Sequence, residues 1–491
     1  MRDLHQTQLV ACLLSVVLAG ANTPARAQVR PSADVEPPAT ESRDTEKPAP
    51  EPHAIEPPKT ENPAEEPRAT ESRKTEKPSQ EPRATESRET DKPVETWGAV
   101  EPGKGFLIGK TSLGELYISG YALVRYLDQM PAGQTFTDHL GRTRRVDARN
   151  DIWAHRIMVH LKGWVGLPKL RYQLTFWTVN TTDQDALFAV LGYQFHRVFS
   201  LYAGLNALPG TRTLQGSHPY WLGHDRVMAD EFFRPYFTHG VWATGEVLEG
   251  LWYQAMVGNN LSALGITAAQ LTRNHSYAAS VWWTPTTGEF GPNGSFDDYE
   301  YHEEVATRFG VSGSFSHEDS FIEGASKAPE NTTIRLADSV NIFELGALAP
   351  DISVAEVRYR LLSADAGMKY RGIFLQAHYF HRWLDDLEAD GPLPVDSIVD
   401  KGFYLQAAFY PVKQKLELYG ATSWVFADDS AGFDDAHEYL GGANWFPAAT
   451  RDVRVNVQLI RVNRSPVNSS FGYYVGGQKG MTASLAASVL F

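Results

Sequence analysis

Thiol chemistry is almost missing from this 491-residue chain: Cys12 is its one cysteine, and it sits inside an amino-terminal apolar stretch. Beyond that stretch a disulfide framework, a thiolate nucleophile and a cysteine-ligated metal are excluded. Long apolar runs are just as scarce. The one present, Leu9 to Ala21, is too short to cross a bilayer as a helix. Sustained helical periodicity is absent too, so neither a helical membrane bundle nor a coiled coil is supported. A phosphate-cradling glycine loop, a nucleic-acid signature and trustworthy metal-ligand spacing are all lacking. Asp297, Asp298, Glu300, Glu303 and Glu304 form an acidic patch without ordered ligand spacing. His378 and His381 lie three apart on a strand, so they face opposite sides and cannot act as a pair. No enzyme, cofactor or metal is expected.

The amino terminus indicates export. Leu9 to Ala21 is followed by Ala25-Arg26-Ala27, a small-x-small site before Gln28, so residues 1–27 read as a signal peptide. Leu9-Val10-Ala11-Cys12 resembles a lipoprotein box, but most of the apolar run follows Cys12, which favours cleavage after Ala27. Residues 39–98 then form four 15-residue copies: ATESRDTEKPAPEPH, AIEPPKTENPAEEPR, ATESRKTEKPSQEPR and ATESRETDKPVETWG. So few apolar residues cannot offset chain entropy, and 28–98 is expected to be a disordered periplasmic linker. Its prolines favour an extended form at about 3 Å per residue, long enough to tether the chain through the cell-wall layer. An unselected low-complexity linker fits equally well.

Residues 99–491 behave differently. Segments of about ten residues with alternating polarity recur, the pattern of strands that meet lipid on one face and water on the other. Strands are predicted at 115–127, 152–165, 169–178, 186–195, 198–207, 238–248, 250–260, 275–284, 303–316, 359–370, 372–383, 401–410, 414–425, 437–446, 452–462 and 480–491. Gaps after odd strands are mostly long and gaps after even strands mostly short, as for outer loops and periplasmic turns. The gap 285–302 is long where a turn is due. The expected fold is all-β, a 16-stranded antiparallel transmembrane β-barrel with a disordered Pro/Glu-rich N-terminal arm.

Alternation assigns faces. Ile157, Val159, Leu161 and Val165 should meet lipid, with Arg156, His160 and Lys162 in the lumen. Leu170, Tyr172, Leu174 and Phe176 point out, with Arg171, Gln173 and Thr175 inside. Val453, Val455, Val457 and Leu459 point out, with Arg454, Asn456 and Gln458 inside. The predicted pore-lining set is Arg125, Arg156, His160, Lys162, Arg171, Arg308, Lys369, Arg382 and Arg454, against inward acids Glu246, Asp365 and Glu417. Charge at mid-membrane on the lipid face costs about 2–4 kcal/mol, which is why these belong inside. Between the fifth and sixth strands, HDRVMADEFFRPYF carries Asp225, Arg226, Asp230, Glu231 and Arg234 around a helix-compatible run, Val227 to Phe233, ended by Pro235. The expectation is a constriction loop folded into the channel. In the last strand Met481, Ala483, Leu485, Ala487, Val489 and Phe491 share the lipid face, and Phe491 serves as an assembly signal at the periplasmic rim.

The stretches DAGMKYRGIFLQAHYFHRWLDD (365–386), KGFYLQAAFYPVKQKLELYG (401–420), YLGGANWFPAATRDVRVNVQLIRV (439–462) and DEFFRPYFTHGVWATG (230–245) resemble successive hairpins and the constriction loop of the phosphate-selective porin O/P family. The resemblance implies an outer-membrane porin, typically a homotrimer, passing small anions. That family's arginine ladder and lysine cluster have no residue-by-residue match here.

Formal charge is −14 overall, and 28–98, with 11 basic against 17 acidic residues, holds −6 of it, so net charge says little about the pore. The functional expectation is passive diffusion of small hydrophilic solutes through a water-filled, anion-leaning channel in the Gram-negative outer membrane, phosphate-like ions among them. Its expected partners are outer-membrane lipid, the barrel-assembly machinery and, through 28–98, peptidoglycan; nucleic acid is not among them. The alternative is a structural barrel anchoring a periplasmic cell-wall-binding arm.

Overall fold

The structure is a computed structural model and describes residues 105–491 apart from 180–183, 263, 265–270, 272–273, 321–333 and 470. The predicted signal peptide and repeat linker lie outside the described residues. The strands are β1 (Phe106–Thr111), β2 (Gly114–Met130), β3 (Thr135–Thr137), β4 (Thr143–Arg145), β5 (Asn150–Val165), β6 (Leu167–Val179), β7 (Gln184–His196), β8 (Phe199–Ala207), β9 (Phe237–Leu248) and β10 (Leu251–Gly258). They continue with β11 (Ser276–Trp283), β12 (Ala306–Asp319), β13 (Val354–Tyr370), β14 (Ile373–Ala389), β15 (Ile398–Val412), β16 (Leu416–Phe426), β17 (Ala436–Trp445), β18 (Val453–Asn463) and β19 (Gly480–Leu490).

Sixteen of these, β2 and β5 to β19, pair antiparallel in sequence order. Strand β19 returns to β2, with Met481 opposite Met130 and Leu490 opposite Tyr121, and closes the cylinder. Every predicted strand is found, with ends shifted by a few residues. Closure leaves no open edge among the sixteen.

Three short strands were not anticipated. β3 and β4 form a small hairpin between β2 and β5. β1 lies beside the first residues of β2, Phe106 opposite Ile118, along the edge that β19 is too short to cover. Phe491 marks the junction: its N–H donates to Gly120 O at 3.1 Å, Gly120 N–H returns a bond at 3.0 Å, and its ring stacks on Phe106 at 5.8 Å.

Exposure alternates along the strands. Ile157, Phe176, Val457 and Leu485 lie on the outside, while Arg156, Thr175, Asn456 and Ser484 are buried within. A bulge between β2 and β5 breaks the period: Leu123 pairs with Arg156 and Val124 with Ala154, so His155 is skipped. The extra residue turns both His155 and Arg156 inward, where each is fully buried. His378 is buried inside and His381 sits outside against Trp383, ring centroids 4.0 Å apart.

Turns gather at one rim and long loops at the other. The β13–β14 turn shows why the first kind can be short: Arg371 and Gly372 both take positive φ, 48° and 83°, the geometry that matches strand twist in a two-residue hairpin. The anomalous gap is real. Between β11 and β12 the chain leaves the turn rim and folds back into the barrel, burying Phe290, Phe296, Asp297 and Asp298.

Candidate functional site: the lumen

Inward polar faces on sixteen strands suggested a cylinder filled with water. The lumen instead holds protein. Apolar residues of the loop after β8 (Leu208, Trp221, Leu222, Val227, Phe233), of the segment before β13 (Ile342, Phe343) and of the loop after β18 (Tyr473, Tyr474) join barrel residues in one buried cluster. Such side chains have no place in an exposed loop, and burying each stabilises by about 1.5–3 kcal/mol.

The loop between β8 and β9 is fastened at successive points. Asp225 accepts short hydrogen bonds from Arg125 of β2 and Arg156 of β5. Both guanidiniums have further partners: Arg125 donates to Gly472 O at 2.9 Å and Arg156 to His224 O at 3.0 Å. Arg156 also lies 4.0 Å from the Phe471 ring centroid. Helix α1 (Met228–Phe233) follows, one residue shorter than the predicted run at its start. Its first amides have no partner within the helix, so Met228 N–H donates to the Glu438 carboxylate at 2.6 Å and Ala229 N–H to Ser423 Oγ at 3.1 Å. At its other end Tyr359 donates to Phe233 O at 2.6 Å, and Arg382 stands 4.1 Å from the Phe232 ring. Asp230 accepts from Thr213 at 2.6 Å and lies 3.5 Å from Arg226, while Glu231 pairs with Arg234 at 2.8 Å. Thus the five named loop charges are buried inside the barrel, and one of them, Asp225, binds two of the predicted lining arginines.

The other lining residues also point inward. Arg308 pairs with Asp365 at 3.2 Å, Arg382 with Asp400 at 2.6 Å, and Arg454 donates to Trp221 O at 2.7 Å. His160 shares a hydrogen bond with Thr175 at 2.8 Å, Lys162 is buried and Arg171 half-buried. Lys369 donates to Phe290 O at 2.7 Å and Ser295 Oγ at 2.8 Å. Of the inward acids, Glu246 accepts from Arg197 at 2.8 Å and Glu417 from Asn444 at 2.7 Å. Most of these groups therefore face packed protein rather than open water.

Sequence reasoning missed the folded-in segment between β11 and β12. Asp297 pairs with Arg451 at 2.7 Å and accepts from Tyr410 at 2.8 Å; Asp298 accepts from Gly372 N–H at 2.6 Å. His302 bridges Asp298, by a short bond, and Glu289, at 2.6 Å. The two carboxylates raise its imidazole to about 9, and His302 in turn holds Glu289 below the usual carboxylate range. Much of the acidic patch thus consists of fasteners. Among the described residues no group of three metal-ligating side chains occurs. The length of the gap was the available signal; its partners lie on distant strands and could not be read locally.

Arg212 was missed as well, although it lies in the same loop as α1. It is buried, donates to Gln376 Oε1 and to Gly294 O at 2.9 Å, and sits 4.1 Å from the Phe296 ring.

A closed sixteen-strand antiparallel barrel, apolar outside and polar within, is the architecture of porins. No family model and no curated protein matches this sequence. Solved structures do match. Outer-membrane expressed OmpT of Vibrio cholerae superposes with a TM-score of 0.51 at 13% identity, covering 78% of this chain and 100% of that one. A trimer form of OmpT from the same organism gives 0.51 at 11% identity, over 77% and 100%. An anion-selective porin from Comamonas acidovorans gives 0.46 at 10% identity over 77% and 100%, too loose to argue from. Identities this low carry the fold and nothing finer.

Proposed function

We propose that this protein is an outer-membrane porin through which small hydrophilic solutes diffuse passively, with a lean toward anions. The observation that carries the reading is the pairing of a closed barrel with an apolar exterior and a lumen wall that carries charges of both signs, some of its cations without an ion pair. Lipid admits strands only when every backbone group is paired, as closure here achieves. Among the described residues Arg212, Lys369 and Arg454 have no ion pair; their hydrogen bonds go to amide, hydroxyl and carbonyl oxygens. These cations favour anions locally whatever the whole-chain charge. Phosphate-like ions, a homotrimer and insertion by the barrel-assembly machinery follow from the resemblance to the O/P porins and belong to the same proposal, as do export by residues 1–27 and wall contact through 28–98.

The filled lumen favours a second reading, in which the barrel only anchors the repeat arm to the outer membrane. Planar-bilayer recording separates the two. Discrete open steps with a reversal potential displaced toward anions support the porin; a silent barrel supports the anchor. Removing 28–98 should leave conductance intact if the arm is a tether.

A further inference from the structure

Near the turn rim the lumen keeps a chamber of about 260 Å³. We propose that it is a binding site for a small organic anion with a single flat ring, a ring carboxylate being the simplest case. The inference rests on the channel reading, which supplies the solute's path into the lumen.

Three neighbouring strands each send a tryptophan to the chamber wall: Trp242 from β9, Trp252 from β10 and Trp282 from β11. Trp252 and Trp282 are paired in register, with ring centroids 6.5 Å apart and planes 10° from parallel. Trp242 stacks on Tyr202 at 5.7 Å, which fixes its ring. Elsewhere the inward strand positions mix polar and apolar side chains, and Trp177 of β6 is also buried, but among the described residues only here do three adjacent strands bring indoles to one wall. These indoles offer π faces and apolar area, which a ring can use and an inorganic ion cannot.

Two guanidiniums share the lining, Arg212 from the β8–β9 loop and Arg308 from β12. Arg308 has a counter-charge in Asp365 at 3.2 Å and lies 5.1 Å from the Trp282 ring. Among the described residues Arg212 forms no ion pair, and the one carboxylate charge it feels is that of Asp365, which is already bound to Arg308. It is 1% exposed, its hydrogen bonds end on neutral oxygens, and its Nε has no partner. Two buried guanidiniums that share one carboxylate call for a further anion. The chamber does hold one carboxylate, Glu289, but His302 engages it at 2.6 Å.

Size narrows the class further. An apolar cavity of roughly 150 Å³ accepts benzene, so 260 Å³ has room for one ring with a carboxylate. A neutral sugar would stack on the indoles but leave Arg212 without an ion pair. Phosphate would meet Arg212 and leave three tryptophans unused.

The test uses the full chain in detergent micelles, with binding followed by calorimetry for benzoate, inorganic phosphate and glucose separately. Saturable benzoate binding at concentrations where phosphate and glucose do not bind is the expected result. Arg212→Gln and Trp252→Leu should each weaken it by roughly tenfold or more. The inference is overturned if the unaltered protein does not bind benzoate, if phosphate or glucose binds as well as benzoate, or if neither substitution changes affinity. The comparison of ligands on unaltered protein needs no variant to fold. Because binding is read without current, a conducting protein that ignores benzoate sinks this site and spares the porin reading, while benzoate binding by a silent barrel does the reverse.

Discussion

Asp225 is the residue whose removal should most change the lumen. It is the carboxylate shared by Arg125 and Arg156, on neighbouring strands, and the three charges are buried together. Asp225→Asn keeps the size of the side chain and deletes the charge, leaving two guanidiniums side by side against a neutral amide. Breaking a buried ion pair by removing one partner costs about 3–5 kcal/mol. That cost falls on the docked loop alone, because once the loop lifts, Arg125 and Arg156 meet lumen water. At about 1.4 kcal/mol per tenfold, the lower figure raises the undocked population at least ~100-fold. Hydrogen exchange of loop amides such as Glu231 N–H, bonded to Val227 O at 3.0 Å, should accelerate accordingly, while strand amides of β13 to β15 stay protected. Single-channel recordings should show larger or more frequent openings in the variant. Unchanged exchange and unchanged conductance together would refute the claim that this ion cluster holds the loop in the lumen.

Other predictions concern faces, rims and pH. Lys162→Glu should move the reversal potential away from anions, whereas Leu161→Ala, on the lipid face, should not; equal shifts would mean the faces are inverted. Leu161→Lys should instead lower the yield of inserted barrel, at a cost of about 2–4 kcal/mol if the position lies near mid-membrane. His302 is raised from 6.5 to about 9 by Asp298 and Glu289, so the charged form stabilises the folded-in segment. That contribution is complete below about pH 6.5 and is lost as pH rises through about 9. Amides from 289 to 302 should therefore exchange faster relative to their intrinsic rates at pH 9.5 than at pH 7, and His302→Gln should remove the difference. Deleting Phe491 removes the Gly120 hydrogen bonds and the Phe106 stack, and should reduce membrane-inserted protein far more than it changes the conductance of what inserts.

The barrel was legible because its information is local and periodic. Met481 to Phe491 alternate on their own, and the same period repeated sixteen times, with loops and turns in step, leaves few other architectures. β1 escaped because Phe106-Leu107-Ile108 is apolar at successive positions and shows no period of two. It is a strand only because β19 ends short and leaves part of β2 uncovered. The contents of the lumen were half legible. The charges of HDRVMADEFFRPYF drew notice, yet the same loop carries Leu208, Leu214, Trp221, Leu222 and Phe233, which argue for packing rather than solvation. Which wall residues receive it is a different kind of fact: Arg125 and Asp225 stand 100 positions apart, and only the closed ring brings them together. The tryptophan chamber depends in the same way on three strands lying in register.

The central claim is that this barrel conducts, and a planar bilayer under a salt gradient tests it most directly. The account predicts discrete steps with a reversal potential displaced toward anions, smaller in the unaltered protein than in Asp225→Asn. A barrel that inserts and stays silent in both forms contradicts it.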